Sequence, residues 1–174
     1  MMERKNIIHV YFPSREEERL SAINSLSRDG VKMLLCHGIS NHKNAFVCDC
    51  RKKDCKSTGK HPIQEFFPNG EHSATLEEAY IKKALKKYPN ANLAVVVDGF
   101  FVIDVDGPEG MKFVKGLSLP PTFRVKTGRG CHYYFKGKLP DNLKKLEQID
   151  LKTKGYVMFA GSRHKSGVYY RRAV

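Results

Sequence analysis

Three carboxylates and a histidine stand out because each lies in an otherwise apolar, strand-like segment. Asp104 and Asp106 belong to VIDVDG, Asp150 belongs to QIDLK, and His132 belongs to CHYYF. Side chains alternate across a strand, so Asp104 and Asp106 project from one face, about 7 Å apart. Apolar neighbours share that face, where like charges repel and desolvation is costly, and a divalent cation would relieve both penalties. A lone carboxylate pair is typical of a solvated face, but the repetition on three strands predicts one shared site.

A second group of possible metal ligands lies in a lysine-rich stretch. Cys48, Cys50 and Cys55 have the spacing C-x-C-x4-C. Zinc takes four sulfur or nitrogen ligands in a tetrahedron, and its binding can order a segment that lacks a hydrophobic core. His61 and His37 are the main candidates for the fourth ligand, and His42 is a further one. Free surface thiols are the alternative interpretation, because the spacing is not that of the common zinc fingers.

The charge balance indicates an anionic partner. Lys and Arg number 31 against 18 Asp and Glu, which gives a net charge of +13 over 174 residues. A surplus of this size is typical of proteins that bind nucleic acid, nucleotides or anionic membranes. No apolar run approaches the roughly 18–20 residues that span a bilayer, and the N-terminus lacks the apolar region of a secretory signal. We therefore predict a cytoplasmic protein without a membrane partner, and we expect a monomer.

The elements that must position these side chains predict one α+β domain, since no repeat or Pro/Gly/Ser-rich linker divides the chain. Capping boxes predict helices over 14–29 and from Thr75 to Pro89. Residues 31–36 form an apolar run that predicts a buried strand. Residues 37–73 are polar without periodicity, and something other than a core must order them.

The second half of the sequence is mainly β. Strand pairs separated by short glycine-containing turns predict hairpins over 92–106, 122–136 and 147–161. A short helix is predicted between the first two, from Pro108 to Gly116. The predicted architecture is an antiparallel sheet with helices covering one face.

The motifs also follow a characteristic order along the chain. They are GKHP (59–62), YPNANLAV (88–95), VIDVDG (102–107), TGRGCHYYF (127–135) and QIDLKTKGYVMFAGSRHKSGVYY (148–170). This order resembles the primase-polymerase (Prim-Pol) family of the archaeo-eukaryotic primase superfamily, over nearly the whole chain. It departs at one point, because the family's Ser-x-His motif is Gly130-Cys131-His132 here. The serine hydroxyl is absent, and whether a backbone N–H replaces it is open at this point.

The resemblance implies a fold and a domain organisation. It implies an RRM-like antiparallel catalytic sheet joined to an N-terminal α/β unit with a small zinc-binding loop. Residues 1–174 would form a single Prim-Pol catalytic domain. Residues 1–90 would be the N-terminal unit, with the Cys/His loop at 37–62, and residues 91–174 would be the RRM-like half. Related sequences carry a similar cysteine motif before GKHP, which favours a structural Zn²⁺.

The resemblance also implies an activity. The chain would be a nucleotidyltransferase, a DNA-directed primase-polymerase that starts and extends a primer strand on single-stranded DNA with dNTPs or NTPs. Asp104, Asp106 and Asp150 would hold two Mg²⁺ or Mn²⁺ ions for phosphoryl transfer. His132 would contact the triphosphate of the incoming nucleotide, and Lys152 is the candidate for a second phosphate contact.

Loop residues near these motifs are candidates for further nucleotide contacts, although a solvated loop explains most of them equally well. They are Lys60, Arg129, Ser162, Arg163 and His164. The glycines of TGRG are compatible with a backbone nest for phosphate and equally with an ordinary hairpin turn. The resemblance places the protein in the prokaryotic cytosol, in a plasmid, phage or CRISPR-associated setting.

Two other functions fit parts of the sequence. A zinc-containing nucleic-acid-binding module without catalysis explains the charge and the cysteines but not three embedded aspartates. A metal-dependent phosphodiesterase or nuclease would use the carboxylates similarly but has no use for a triphosphate pocket. Incubation with template, labelled dNTP and Mn²⁺ separates the three, because the outcomes are extension, no reaction and degradation.

Overall fold

The computed structural model describes residues 13–139 and 149–173. Within these residues the protein is mixed α+β, with three α-helices and three antiparallel sheets. The helices are α1 (Arg15–Arg28), α2 (Glu78–Lys87) and α3 (Gly107–Gly116), with a 3-10 helix at Gly70–Ser73. The strands are β1 (Met33–Cys36), β2 (Ile39–His42), β3 (Ala45–Cys48), β4 (Asn92–Val96), β5 (Phe100–Val105), β6 (Phe123–Lys126), β7 (Cys131–Lys136), β8 (Ile149–Lys152), β9 (Tyr156–Met158) and β10 (Arg171–Ala173). None of the described helices is long and apolar enough to cross a membrane.

The first sheet has the order β1–β4–β9, and α1 and α2 pack against it. Leu93, Ala94 and Val95 of the central strand β4 are fully buried, as expected of a strand with a neighbour on each side. The predicted capping box of α1 is confirmed. The Glu17 N–H donates to Ser14 Oγ at 3.2 Å, and the Ser14 N–H donates to Glu17 Oε2 at 2.8 Å.

The start of α2 differs from its prediction. Thr75 and Glu78 do not form a capping box, because Thr75 stays extended and pairs with Met33 through both of its backbone groups. Its hydroxyl accepts the N–H of Glu77, and the helix begins one residue later at Glu78. Pairing with β1 therefore takes the residue that the local pattern assigned to a helix cap.

The second sheet has five strands in the order β10–β6–β7–β5–β8, all antiparallel. The predicted hairpin over 122–136 is confirmed as β6 and β7. Helix α3 connects β5 to β6 and packs against β5. Strand β5 is internal, with β7 on one side and β8 on the other, so its side chains have neighbours on both strands.

The other two predicted hairpins are wrong. Strand β4 pairs with β1 and β9 rather than with β5, and β8 pairs with β5 while β9 pairs with β4. The turns at 97–99 and 153–155 therefore carry the chain from one sheet to the other. Residues 147 and 148 of the third predicted hairpin lie outside the described residues, as do residues 1–12 of the predicted N-terminal unit.

A single core joins the two sheets. The main cluster of buried residues combines Ile23 and Leu34 from the first part of the chain with Val102, Val125 and Phe159 from the second. A smaller cluster lies under α3, on the opposite face of the five-stranded sheet. Val102 is fully buried in the main cluster. The next side chain on the same face of β5, two residues further along, is that of Asp104.

The polar stretch 37–73 contains a small hairpin and a cluster of cysteines. Strands β2 and β3 pair around Lys43 and Asn44, whose φ angles of 48° and 66° are those of a tight hairpin turn. The hairpin ends at Cys48. The sequence pattern did not predict these strands, since each has only four residues and neither alternates between apolar and polar side chains.

Candidate active site and metal centre

Asp104 lies at the centre of a row of polar side chains across three strands. The register places it directly opposite His132 on β7 and directly opposite Asp150 on β8. His132 Nε2 is 3.3 Å from Asp104 Oδ1. The side chain of His132 is only 6% exposed, whereas that of Asp104 is 25% exposed and opens to solvent.

The tautomer of His132 follows from its second contact. Its Nδ1 lies 3.4 Å from the hydroxyl of Tyr134, and burial raises the pKa of that tyrosine, which therefore remains a proton donor. In the neutral ring Nδ1 thus accepts from Tyr134, and Nε2–H donates to Asp104 in either charge state of the ring.

The charge environment of Asp104 favours its ionised form. Burial alone would raise the pKa of its carboxyl, but the hydrogen bond and the charge of His132 oppose burial. The charges of Lys152 and Lys60 act in the same direction, and the pKa lies below its usual value. Asp104 is therefore an anion, the form that a metal ligand or a cation partner requires.

The other two aspartates each have a cationic neighbour. Asp106 follows the end of β5 at the N-cap position of α3, and its Oδ1 lies 3.7 Å from Nη2 of Arg129. Asp150 Oδ2 lies 2.5 Å from Nζ of Lys152. Both pairs are largely exposed, so each contributes little to stability.

The carboxylates fit a hard divalent cation by their chemistry, since Mg²⁺ and Mn²⁺ prefer oxygen ligands. They are not drawn together as tightly as metal ligands. Among the described residues, only the cysteine cluster has at least three ligand atoms within 4.8 Å of one another. Asp104 and Asp106 lie in or just after β5, and Asp150 lies in the adjacent strand β8. Each contacts a different basic residue, namely His132, Arg129 and Lys152.

The TGRG turn is held by close packing against β5 and one of the loops. A Cβ on Gly130 would lie 1.7 Å from the carbonyl oxygen of Val105, so a serine at this position is excluded by the present backbone. The Gly130 N–H donates to Thr127 Oγ1 at 3.0 Å, and the Thr127 N–H donates to the Gly130 carbonyl. The N–H of Gly130 is therefore used within the turn and does not stand in for the missing serine hydroxyl. Gly128 packs on the ring of His164, where an added Cβ would lie 2.5 Å from Nδ1.

Two of the candidate loop residues have their polar groups engaged by the protein itself. Ser162 is fully buried, and its hydroxyl contacts both the N–H and the carbonyl of Leu93, at 3.0 and 2.9 Å. The guanidinium of Arg163 lies between two aromatic rings, 4.8 Å from the centre of Phe46 and 4.9 Å from that of Tyr169. These contacts place both residues in the framework of the loop.

His164 and Lys60 stand closer to the aspartates in electrostatic terms. Burial lowers the pKa of His164, and the charges of Lys60, Lys165 and Arg129 lower it further. Its Nδ1 accepts the N–H of Ser166 at 3.2 Å, so the neutral ring carries its proton on Nε2. The charge of Lys60 lowers the pKa of both Asp104 and His164, and the charge of Asp106 raises that of His164, so these two loop residues interact electrostatically with the aspartates.

Tyr170 is a site residue that the sequence reasoning missed. Its side chain is 3% exposed, and its ring centre lies 5.9 Å from that of His132 and 6.2 Å from that of His164. Burial and the charges of Asp104 and Asp106 raise its pKa, so the phenol stays neutral. Nothing local in the sequence marks a tyrosine that packs between two distant histidines.

The cysteine cluster forms a well-defined candidate metal centre. The ligand atoms of Cys48, Cys50, Cys55 and His61 all lie within 4.8 Å of one another, and Cys55 Sγ is 3.7 Å from His61 Nδ1. Ligand atoms about 2.0–2.3 Å from a tetrahedral zinc ion are themselves about 3.3–3.8 Å apart, so the donor set fits Zn²⁺. The Gly59 N–H donates to Cys48 Sγ at 3.4 Å, a contact that would support a metal-bound thiolate.

The structure selects one of the histidines for this cluster. The ring of His37 packs at a tilt against that of His61, with ring centres 4.7 Å apart, but His37 is not among the clustered ligands. His42 is exposed at the end of β2. Burial raises the pKa of Cys48 to about 12, so its thiolate requires a compensating cation. The remaining cysteines, Cys36 and Cys131, are buried free thiols.

One protein-family model matches nearly the whole chain. The model of the Prim-Pol family, described as "Bifunctional DNA primase/polymerase, N-terminal", matches residues 14–174. The match therefore includes all three sheets, the acidic row and the cysteine cluster. No curated protein and no solved structure matches the chain.

Proposed function

The chain belongs to the Prim-Pol family of bifunctional DNA primases and polymerases, and we propose that it starts and extends primers on a single-stranded DNA template. Membership of the family implies DNA and nucleotides as substrates and divalent metals as cofactors. The observation that carries the proposal is the row of Asp150, Asp104 and His132 across β8, β5 and β7, in which a buried histidine contacts an ionised carboxylate.

The strand order supports the RRM-like part of this proposal. Strands β5, β6, β7 and β8 are arranged as β6–β7–β5–β8, with α3 between β5 and β6. This is the antiparallel order of a split βαβ sheet, whose first strand lies internally. We assign this sheet as the catalytic half of one domain that spans the chain, since the main core joins it to the first unit.

The three aspartates are the proposed ligands of two Mg²⁺ or Mn²⁺ ions. Bound ions supply charge neutralisation for the triphosphate and make the 3′-hydroxyl easier to ionise. Metal binding by Asp106 and Asp150 requires Arg129 and Lys152 to leave their present partners. The two released cations would then be available to the phosphates of the incoming nucleotide, so the ion pairs keep them close to where they are needed.

The basic side chains have graded roles in the proposal. His132 holds Asp104 through Nε2–H and contacts the triphosphate of the incoming nucleotide. Lys60 and His164, whose loops interact electrostatically with the aspartates, would contact the initiating nucleotide. Ser162 and Arg163 support the loop that carries His164, because their polar groups are bound by the protein. In reactions of this kind, positioning and charge stabilisation supply most of the rate.

Zinc has a structural role in the proposal. Cys48, Cys50, Cys55 and His61 would hold one Zn²⁺ ion and order the stretch between β3 and the 3-10 helix. His61 directly follows Lys60, so the ion would also fix the start of the basic loop. The chemistry that zinc supplies here is four strong bonds within a segment that has few buried side chains.

A single reaction tests the function. The protein is incubated with primed and unprimed single-stranded DNA templates, labelled nucleotides and Mn²⁺, and Asp104→Asn is compared with Asp98→Asn, the same change at an exposed turn. We expect incorporation by the native protein and by Asp98→Asn, and a loss of at least about 100-fold in Asp104→Asn, which keeps the side-chain shape but removes its charge.

The same reaction separates the two rival functions. Binding of the template without incorporation would identify a non-catalytic nucleic-acid-binding module. Metal-dependent shortening of the primer or the template would identify a nuclease. Either result would overturn the proposal, as would full incorporation by Asp104→Asn.

A further inference from the structure

One buried carboxamide connects the two loops that carry the basic side chains. Asn92 is the first residue of β4 and is 1% exposed. Neither of the loops it contacts is close to it in sequence, since one precedes it by about 30 residues and the other follows it by about 70.

All four hydrogen-bonding positions of the Asn92 side chain are used. Its Oδ1 accepts the N–H of Arg163 at 2.7 Å and Nη2 of Arg15 at 3.3 Å. Its Nδ2 donates to the carbonyls of Gly59 and Arg163, both at 2.9 Å. A carboxamide offers two donors and two acceptor lone pairs, so these contacts exhaust its capacity and fix its orientation.

The contacts hold the backbone immediately before two site residues. Gly59 precedes Lys60, and Arg163 precedes His164. A Cβ on Gly59 would lie 2.5 Å from Cδ1 of Ile39 and 3.0 Å from Nδ2 of Asn92, and the φ of Gly59 is 71°, so this position requires glycine. Tyr156 donates its hydroxyl to the carbonyl of Lys60 at 2.8 Å, which holds the same loop from a second side.

We infer that Asn92 is a positioning residue for nucleotide binding, acting by holding the Lys60 loop and the His164 loop in one fixed relation to the acidic row. The inference deepens the proposed function and rests on it for the identity of the ligand. Asn92 itself touches neither the aspartates nor the proposed nucleotide position. Its effect is transmitted through the backbone of its two partners. Of the side chains that follow them, Lys60 acts electrostatically on Asp104, and His164 packs on Gly128 and on Tyr170, which also contacts His132.

The substitution Asn92→Asp isolates this role. It keeps the acceptor that receives the Arg163 N–H, and it replaces the donor that faces two carbonyls with an oxygen. Two buried acceptors lose their donor and meet a like partial charge, so both loops should separate from β4. Asn90→Asp is the matched control, because it makes the same chemical change on an exposed side chain two residues away.

The measurement is the dissociation constant of a fluorescent nucleoside triphosphate with Mn²⁺, at a temperature where circular dichroism shows each variant to be folded. We expect Asn92→Asp to weaken binding about 10-fold or more, and Asn90→Asp to leave it within about 2-fold. Asn92→Ala, which removes the same contacts without adding charge, should reproduce the loss. Unchanged binding in both Asn92 variants would overturn the inference.

A double-mutant cycle with Lys60→Ala distinguishes positioning from a general loss of stability. If Asn92 acts by placing Lys60, the loss of affinity caused by Lys60→Ala should be much smaller in the Asn92→Ala background than in the native one. Equal fold-losses in both backgrounds would mean that the two residues act independently, and the inference would be wrong.

Hydrogen exchange separates failure of this inference from failure of the proposed function. Backbone amides of residues 57–61 and 161–167 should exchange faster in Asn92→Asp than in Asn90→Asp, in both loops together, whether or not the native protein binds a triphosphate. Unchanged exchange in either loop would show that Asn92 does not hold it. Faster exchange in both, with no triphosphate bound by the native protein, would contradict only the proposed function.

Discussion

At the scale of single residues, the acidic row combines a buried donor with a partly open acceptor. His132 is almost fully buried and directs Nε2–H at Asp104, which opens to solvent and remains ionised because its pKa is held down. The remaining aspartates are held by Lys152 and Arg129. A carboxylate row that is ionised, partly exposed and bordered by exchangeable cations is suited to bind a divalent ion and a polyanion together.

The first prediction concerns the role of Lys60. Primer-free initiation requires two nucleotides in one cleft, and their combined phosphates need more cationic contacts than extension does. We expect Lys60→Ala to reduce primer-free synthesis by roughly 10- to 150-fold, the value of one charge-assisted contact of about 1.5–3 kcal/mol. Extension of an annealed primer should change much less, because the primer end replaces the initiating nucleotide.

The measurement is the ratio of initiation to extension rates at fixed salt. Lys53→Ala, at an exposed position of the same basic stretch, is the control and should leave the ratio unchanged. Equal losses of both rates in Lys60→Ala would assign Lys60 to the elongation site or to general template binding instead.

The second prediction is a pH effect of His164. Its pKa lies below the ordinary value of 6.5, mainly because of burial, so the unfolded chain binds this proton more readily than the folded one. The contribution of His164 is therefore neutral above pH 7 and becomes destabilising as the pH falls through 6.5. We expect His164→Asn to lose less free energy of unfolding between pH 7.5 and 5.5 than the native protein does.

Chemical denaturation at the two pH values provides this measurement. His42→Asn removes an exposed histidine at the end of β2 and serves as the comparison. A pH dependence in His164→Asn as steep as that of the native protein would contradict the prediction.

At the scale of elements, a hairpin and loops bring residues that are distant in sequence close to the five-stranded sheet. The hairpin β2–β3 contributes Phe46, which covers Arg163, and Cys48, which belongs to the metal cluster. A Cβ on Gly167 would lie 2.2 Å from the Phe46 ring, so the hairpin and the loop after β9 are in close contact. The hairpin that supplies Cys48 to the candidate zinc centre therefore packs against the loop that carries Arg163 and His164.

The third prediction is one zinc ion per chain. Elemental analysis of protein purified without added metal should find it, and Cys55→Ala should lose it with a fall in melting temperature of about 10 °C, because the cluster replaces a hydrophobic core in this segment. Cys131→Ala, which removes a buried thiol outside the cluster, should retain the metal. Five thiols that all react freely without denaturant would disprove the site.

At the scale of the whole molecule, the two predicted halves share one core and one sheet. Strand β4 pairs with β1 on one side and β9 on the other. The backbone of Arg172, near the end of the chain, donates to Glu18 of α1 at 2.7 Å. The acidic row lies where this shared core ends and the sheet opens to solvent, so the site depends on both halves being present.

The fourth prediction follows from that shared core. Residues 91–174 expressed alone should not fold, because Val102, Val125 and Phe159 would lose the surface against which they pack. Far-UV and near-UV circular dichroism of the fragment should show no cooperative thermal transition, and mixing with residues 1–90 should restore one. A cooperative transition of the isolated fragment would show that the halves are separate domains.

Local patterns in the sequence were sufficient for several features of the site. Strand alternation predicted which faces Asp104, His132 and Asp150 occupy, because that periodicity depends only on the extended backbone. The capping box of α1 and the hairpin β6–β7 were also predicted, since each depends on residues a few positions apart. The order of the motifs was enough to identify the family, which the match to residues 14–174 confirms.

Contacts between distant segments decided the rest. The partners of β4 and β9, the choice of His61 over His37, and the four contacts of Asn92 all join residues that are far apart in sequence. A glycine turn allows two strands to pair, but the packing of the chain determines whether they do. Strand β4 lies between β1 and β9, where Leu93, Ala94 and Val95 are fully buried. Such pairings depend on the packing of the whole chain, so no local pattern carries them.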